Sequence, residues 1–208
     1  MKKILTAALA AALLIVPFSA AAAPDQVELP LPPAANYVPG TAPAEVTVAE
    51  AMTPAVHAAM LAMLNHQVNS FAAEDTSLTW EALYNILSMY GQLDDRAEYQ
   101  GENLLIPAET VLDYAAALLP DVEALGQLPE TLADRMTYDA ASDSYLVVCG
   151  NDEMAEVNLQ SAPLAHGRLL LTGALVSVED GSALVRFQAV VERADNLLGC
   201  ELISMDLL

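Results

Sequence analysis

The sequence predicts an α+β fold in which N-terminal helices pack on a curved antiparallel sheet. Three observations lead to this prediction. Residues 53–120 contain three segments whose apolar side chains recur every three or four positions, which is the helical period. Residues 134–208 contain alternating apolar and polar segments joined by turn residues, which is typical of antiparallel strands. Prolines cluster before residue 55, so we expect an extended Pro/Ala-rich leader over residues 23–52 and a single domain over residues 53–208.

The first 22 residues have the pattern of a cleavable secretory signal peptide. Met1–Lys3 is a short positive region, residues 4–16 are an uncharged apolar run, and small residues then lead to a cut that we place between Ala22 and Ala23. The apolar run is shorter than the roughly 20 residues that a membrane span needs. No cysteine near the cut is available for acylation. We therefore expect a secreted or extracytoplasmic protein that is not a lipoprotein, with an uncleaved N-terminal anchor as the alternative.

The charge of the chain limits its partners. The sequence has 28 acidic residues, seven Lys and Arg, and a formal net charge of −21. Both lysines lie in the signal segment, so removing it leaves five arginines and a net charge of −23. Such a surface repels nucleic acid and anionic membranes, and we expect neither as a partner.

The first helix is predicted to begin with Thr53 as its N-cap and Pro54 in its first turn, and to run to about residue 70. Its apolar positions include Met60 and Met63. We expect these side chains, together with Met52 just before the helix, to fill the core, because copper sites built on Met need a tighter cluster with His or Cys.

Two further helices follow. Thr79 is the predicted N-cap of the second helix, Leu78 and Leu83 are expected to form a hydrophobic staple across it, and Gly91 is its predicted end. The third helix is predicted to run from Pro107 to Pro120. The strands are predicted at 97–100, 103–106, 136–139, 144–149, 155–159, 166–178, 183–192 and 200–207. In the strand over 183–192, alternate residues from Val185 to Val191, including Phe187, should face the core.

This order of two helices, a short hairpin, a third helix and a long antiparallel meander resembles the cystatin-like and nuclear-transport-factor-like cones, in which a curved sheet wraps a helix. The resemblance lies in element order. It implies a concave sheet face able to hold a peptide, a small apolar ligand or a partner protein.

The two cysteines, Cys149 and Cys200, each lie in a β-like segment of the C-terminal half. An exported location permits a disulfide between them, which would close a loop of about 50 residues and contribute roughly 4 kcal/mol. Two buried free thiols are the alternative. Because Cys149 follows a predicted strand and does not open a helix, the sequence does not predict an activated catalytic thiolate.

No catalytic, metal or cofactor site is predicted. His57 and His66 lie on opposite faces of one predicted helix, about 13 Å apart along its axis, so they cannot share a metal ion. None of the acidic pairs follows the spacing of an EF-hand loop. Asp139 and Asp143 flank a predicted tight turn, and we assign them to turn chemistry, with weak Ca²⁺ chelation as the alternative.

These observations favour a secreted, acidic, non-enzymatic binding or accessory domain for an unknown protein or small ligand. Trp80, Tyr99 and Phe187 are the candidate contact residues, although each is also suited to the core. A hydrolase with a dispersed carboxylate site and an inhibitor of a basic secreted enzyme stay open as alternatives. Two converging acids of raised pKa in a deep pocket would favour the hydrolase, whereas a shallow groove or a sheet edge would favour the binding domain.

Overall fold

The computed structural model describes residues 46–120, 122–150 and 155–208, which contain three α-helices and nine β-strands. The helices are α1 (Val48–His66), α2 (Thr76–Tyr90) and α3 (Ala108–Leu118). The strands are β1 (Ser70–Phe71), β2 (Glu98–Gln100), β3 (Asn103–Pro107), β4 (Met136–Asp139), β5 (Ser144–Val148), β6 (Ala155–Pro163), β7 (Leu169–Ser177), β8 (Ala183–Arg193) and β9 (Cys200–Leu207). Helices and antiparallel strands in this order confirm the predicted α+β fold.

The first helix begins earlier than predicted. Its N-cap is Thr47, not Thr53: Thr47 Oγ1 accepts a hydrogen bond from the Glu50 N–H at 3.2 Å, and the Glu50 carboxylate accepts one from the Thr47 N–H at 2.8 Å. This reciprocal capping box fixes the start of the helix. Pro54 therefore lies inside α1, where its missing N–H cannot bond to the carbonyl one turn earlier. The helix also ends before the predicted residue, because Gln67 takes left-handed backbone angles with φ 56°.

The second helix also begins earlier than predicted. Its N-cap is Asp75, whose carboxylate accepts hydrogen bonds from two backbone N–H groups of the first turn, at 3.0 and 3.1 Å. The predicted cap, Thr79, lies within the helix instead. Leu78 is helical as well, so the predicted staple between Leu78 and Leu83 is wrong. Gly91 does cap the C-terminal end, as predicted.

A four-stranded antiparallel sheet has the order β2-β3-β5-β4. Both of its hairpins lie where the sequence predicts them, and Gly101 takes φ 69° in the β2–β3 turn. The third helix starts directly after β3, with Pro107 as its N-cap. The Ala108 N–H donates to the carbonyl of Asp143 at 2.9 Å, and this bond ties the start of α3 to the β4–β5 turn.

A five-stranded antiparallel sheet has the order β1-β9-β8-β7-β6. Its β7–β8 turn contains Asp180 and Gly181, as the sequence predicts. Strand β9 spans residues 200–207, which is also the predicted range. The sequence did not predict β1, and β6 runs to Pro163, past the predicted end at Leu159. The strands therefore form two sheets, whereas the sequence pattern predicts a single curved antiparallel sheet.

The helices lie between the two sheets. Helix α1 contacts β6 and β9, α2 contacts β5, and α3 contacts strands of both sheets. Met52, Met60 and Met63 are fully buried, which confirms their predicted role in the core. Along β8, Phe187 and Val191 are buried and alternate with more exposed neighbours, as the sequence pattern predicts.

The predicted signal peptide, its cut between Ala22 and Ala23, and the leader up to residue 45 lie outside the described residues. The end of that predicted leader, residues 48–52, belongs to α1. Among the helices of the described segments, none combines the length and the apolar character that crossing a membrane requires.

Candidate functional site

A groove of about 800 Å³ lies beside the start of α3. Its walls are the first turns of α3, the segment 122–128 and the β4–β5 hairpin, and it is open to solvent rather than enclosed. We call it the acidic groove. The side chains that define its character are Glu109, Leu112, Glu123, Tyr138, Asp143 and Tyr145.

Aromatic side chains form one wall of the acidic groove. Tyr138 and Tyr145 pair directly across β4 and β5, and their ring centroids are 5.0 Å apart. Behind them Trp80 of α2 lies with its ring 6.1 Å from that of Tyr145. Trp80 and Tyr145 are 4% and 7% exposed, whereas Tyr138 is 48% exposed. The row therefore extends the buried core outward to a tyrosine that a ligand can reach.

Three exposed carboxylates line the groove together with this wall. Glu109 lies in the first turn of α3, Glu123 lies on the segment 122–128, and Asp143 ends the β4–β5 turn with φ 48°. The Tyr138 hydroxyl donates to Asp143 Oδ1 at 2.8 Å, and this hydrogen bond raises the pKa of Tyr138. None of the described residues that line the groove is Lys, Arg or His. An anionic rim beside an accessible aromatic ring is an environment that suits a cation.

Hydrogen bonds lower the pKa of several carboxyl groups outside the groove. Backbone N–H and hydroxyl donors lower the pKa of Glu50, Asp139 and Asp180, and the Arg96 guanidinium lowers that of Asp94. A carboxyl with a lowered pKa stays ionised at neutral pH. A general-acid carboxyl needs the opposite shift, so these groups are suited to capping, turns and ion pairs and not to acid catalysis.

A second cleft, of about 450 Å³, holds an ion pair between the buried Glu81 and the partly exposed Arg135. Arg135 Nη1 and Nη2 donate to the two carboxylate oxygens of Glu81 at 2.9 and 2.7 Å, and Asn65 Nδ2 donates to Oε1 at 3.2 Å. Burial acts to raise the pKa of Glu81, but the hydrogen bonds and charge of Arg135 outweigh it, and the pKa is lowered. The guanidinium also lies 4.6 Å from the ring centroid of Tyr84. The carboxylate is fully engaged, so this cluster joins α1, α2 and the residue before β4 and is not a vacant binding site.

A third cleft, of about 560 Å³, contains His57. The side chain of His57 is buried, and its Nδ1 lies 2.8 Å from the Tyr90 hydroxyl. His66 is exposed and lines the second cleft instead, so the two histidines of α1 face different clefts. Across the described ranges, no three His, Cys, Asp or Glu side chains converge to form a possible metal site.

Both cysteines are free thiols in the structure. Cys149 is half-buried directly after β5, and Cys200 is buried at the start of β9, where burial raises the pKa of its thiol. They thus lie at strand ends of different sheets. The disulfide between Cys149 and Cys200 stays a prediction, with free thiols as the alternative.

The three aromatic residues singled out from the sequence do not form one site. Trp80 and Phe187 are buried in the core. Tyr99 is 63% exposed on β2, where its hydroxyl donates to Gln92 Oε1 at 2.7 Å. None of the three lines the acidic groove, although Trp80 packs behind its aromatic wall.

Sequence reasoning missed most of the acidic groove. Of its residues only Asp143 was singled out, for turn chemistry, and it does lie in that turn. A usable signal was present, because the predicted hairpin places Tyr138 and Tyr145 in register on one face. The approach of Glu109 and Glu123 to that hairpin depends on tertiary contacts, which no local pattern records.

A comparison with known protein families found no model that matches this chain, and a comparison with curated proteins found no matching relative.

Proposed function

We propose that this chain is an exported, non-enzymatic binding domain that holds a cationic segment of a partner protein in the acidic groove. The observation that carries the proposal is the composition of the groove: its lining contains three exposed carboxylates and an accessible tyrosine, and none of the described residues that line it is a cation. The groove is open, which suits an extended segment better than a small enclosed substrate.

The charge of the whole chain supports a cationic partner. Among the described residues, ion pairs hold three of the five arginines: Arg96 with Asp94 and Asp113, Arg135 with Glu81, and Arg168 with Glu192. Few positive groups therefore offset the acidic surface. A field of this sign accelerates encounter with a basic partner and weakens as salt is added.

The energies available in the groove favour a segment over a single cation. An exposed ion pair contributes about 0.2–1 kcal/mol, and a cation over an exposed aromatic ring contributes about 0.5–1 kcal/mol. One Arg or Lys would therefore be held weakly. A segment that places two or more cations against Glu109, Glu123 and Tyr138 gains the sum of these interaction energies, whereas it loses its translational and rotational freedom only once.

The proposal is tested with a labelled hexa-arginine peptide, by fluorescence anisotropy at low and physiological salt. The decisive comparison is between two double variants that change the net charge equally. Glu109→Gln with Glu123→Gln neutralises the groove, and Glu98→Gln with Glu102→Gln neutralises exposed acids at β2 and its turn. We expect the groove variant to lose about 2- to 30-fold in affinity and the control variant to lose less than about twofold.

Replacing Tyr138 with Ala separates the aromatic contribution from charge. We expect a further loss of about two- to fivefold, since the cation–π contact is removed while the net charge is unchanged. Equal weakening by the two charge-matched double variants would show that the peptide responds to net charge alone, and the groove proposal would then be wrong.

A further inference from the structure

We propose that two copies of the chain pair through the outer edge of β6, which joins their five-stranded sheets into one. Strand β6 ends the sheet: it pairs with β7 on one side, and no described strand pairs with its other side. Alternate residues of such an edge direct N–H and C=O groups outward, where another strand can bond to them.

The other sheet edges are too short to pair in this way. Among the described strands that end a sheet, β1 has two residues, β2 three and β4 four, whereas β6 has nine. Strand β6 is also regular. Its nine pairs with β7 run without a register shift, while the inner β7–β8 and β8–β9 ladders each contain one. Short edges and bulges protect an edge from pairing, and β6 has neither.

The sequence of β6 is suited to self-pairing in a strongly acidic chain. Glu156 is its one charged residue, and its one proline, Pro163, lies at the very end. Little like charge along this strand therefore opposes the approach of a second copy. Charged side chains and internal proline are the usual means of keeping an edge unpaired, and both are missing from its central residues.

An antiparallel pairing centred on Leu159 is self-complementary. In that register Leu159 faces Leu159 of the second copy, Asn158 faces Gln160, and Glu156 faces Ala162, so no like charges oppose one another. The amide pair occurs twice because the two-fold axis repeats it. Val157 and Leu159 are half-buried at the edge and pack against the core, and the second copy would cover the part that is still exposed.

The mass of the purified chain in solution, measured by sedimentation velocity over a range of concentrations at physiological salt, tests the proposal. We expect a concentration-dependent dimer. The double variant Asn158→Lys with Gln160→Lys places lysines opposite each other at both amide pairs, and we expect it to raise the dimer dissociation constant by about tenfold or more. This variant also brings the net charge of each copy nearer to zero, so a general charge effect would strengthen the dimer instead.

A charge-swap mixture distinguishes lost pairing from lost folding. The variant Asn158→Glu with Gln160→Glu should be monomeric by itself, and an equimolar mixture with the lysine variant should form a heterodimer at least as tight as the dimer of the unmodified chain. The proposal is overturned if the unmodified chain stays monomeric at about 100 μM. It is also overturned if the lysine variant dimerises unchanged, or if the mixture fails to associate.

Discussion

Replacing Glu81 with Gln removes the buried carboxylate charge from its ion pair with Arg135 and leaves the side-chain shape nearly unchanged. The Glu81 side chain is 8% exposed and that of Arg135 is 38% exposed. Gln retains one oxygen, which can still accept from Asn65 Nδ2 or from Arg135. Its amide group, however, presents a donor where the second carboxylate oxygen accepted from Arg135 Nη2.

The loss of stability in Glu81→Gln arises because Arg135 loses its charged partner. Removing one member of a fully buried ion pair costs about 3–5 kcal/mol, because the other charge is left buried and unpaired. Arg135 is more than a third exposed, so water can replace part of the lost interaction, and it keeps its contact with the Tyr84 ring. We therefore expect Glu81→Gln to lower the free energy of unfolding by about 2 kcal/mol at neutral pH.

The dependence on pH has a definite sign. Because the pKa of Glu81 is lowered in the folded chain, its ionisation stabilises the fold above the unfolded-state pKa, and that stability is lost as the pH falls through the folded-state pKa. The difference between the unmodified chain and the variant should be complete at neutral pH and should shrink below about pH 4.5.

Urea unfolding followed by circular dichroism measures both effects. Glu192→Gln is the matched control, since it makes the same chemical change in the exposed pair with Arg168, whose side chains are 40% and 47% exposed. We expect this control to cost about 0.2–1 kcal/mol. Equal destabilisation of the two variants at neutral pH would contradict a special role for the Glu81–Arg135 pair, and so would a stability deficit of Glu81→Gln that persists unchanged in acid.

Two further predictions concern packing and thiol exposure. Gly173→Ala should lower the free energy of unfolding by about 1–3 kcal/mol in urea titrations, because the added Cβ would collide with the backbone oxygen of Asn158 on β6. The control Gly126→Ala should leave the free energy of unfolding nearly unchanged, because nothing lies within 4 Å of its added Cβ. Equal losses of stability in the two variants would contradict this prediction. A thiol reagent applied to the folded chain should modify Cys149 well before Cys200, which is 1% exposed. A mass deficit of about 2 Da with no labelling would instead establish the disulfide.

Elements governed by local chemistry were predicted well. The β4–β5 and β7–β8 hairpins and strand β9 lie where turn residues and alternation place them. Helix starts were predicted less well, because several residues are able to cap. Thr53 and Thr79 have the right side chains, but Thr47 with Glu50 and Asp75 lie further upstream and extend the helices by one turn or more. In both helices the N-cap is the capping residue further upstream, and the sequence alone does not distinguish it from the later candidate.

The division into two sheets was beyond local reasoning. Strand β3 pairs with β5, and β1 pairs with β9 across most of the chain, so these pairings link residues that are distant in sequence. The acidic groove has the same origin. Glu109 follows β3, and the bond from the Ala108 N–H to the Asp143 carbonyl brings it to the hairpin. Because the chain has 28 acidic residues, its composition cannot indicate which three of them line the acidic groove.

The row of rings from Trp80 to Tyr138 has an optical consequence. Trp80 is the one tryptophan of the chain, and its ring lies 6.1 Å from that of Tyr145 in the groove wall. Tyrosines this close to an indole transfer excitation energy to it, so we expect part of the light absorbed by Tyr145 and Tyr138 to be emitted by Trp80. The tryptophan fluorescence of the unlabelled chain should therefore change when a ligand in the groove displaces either tyrosine ring.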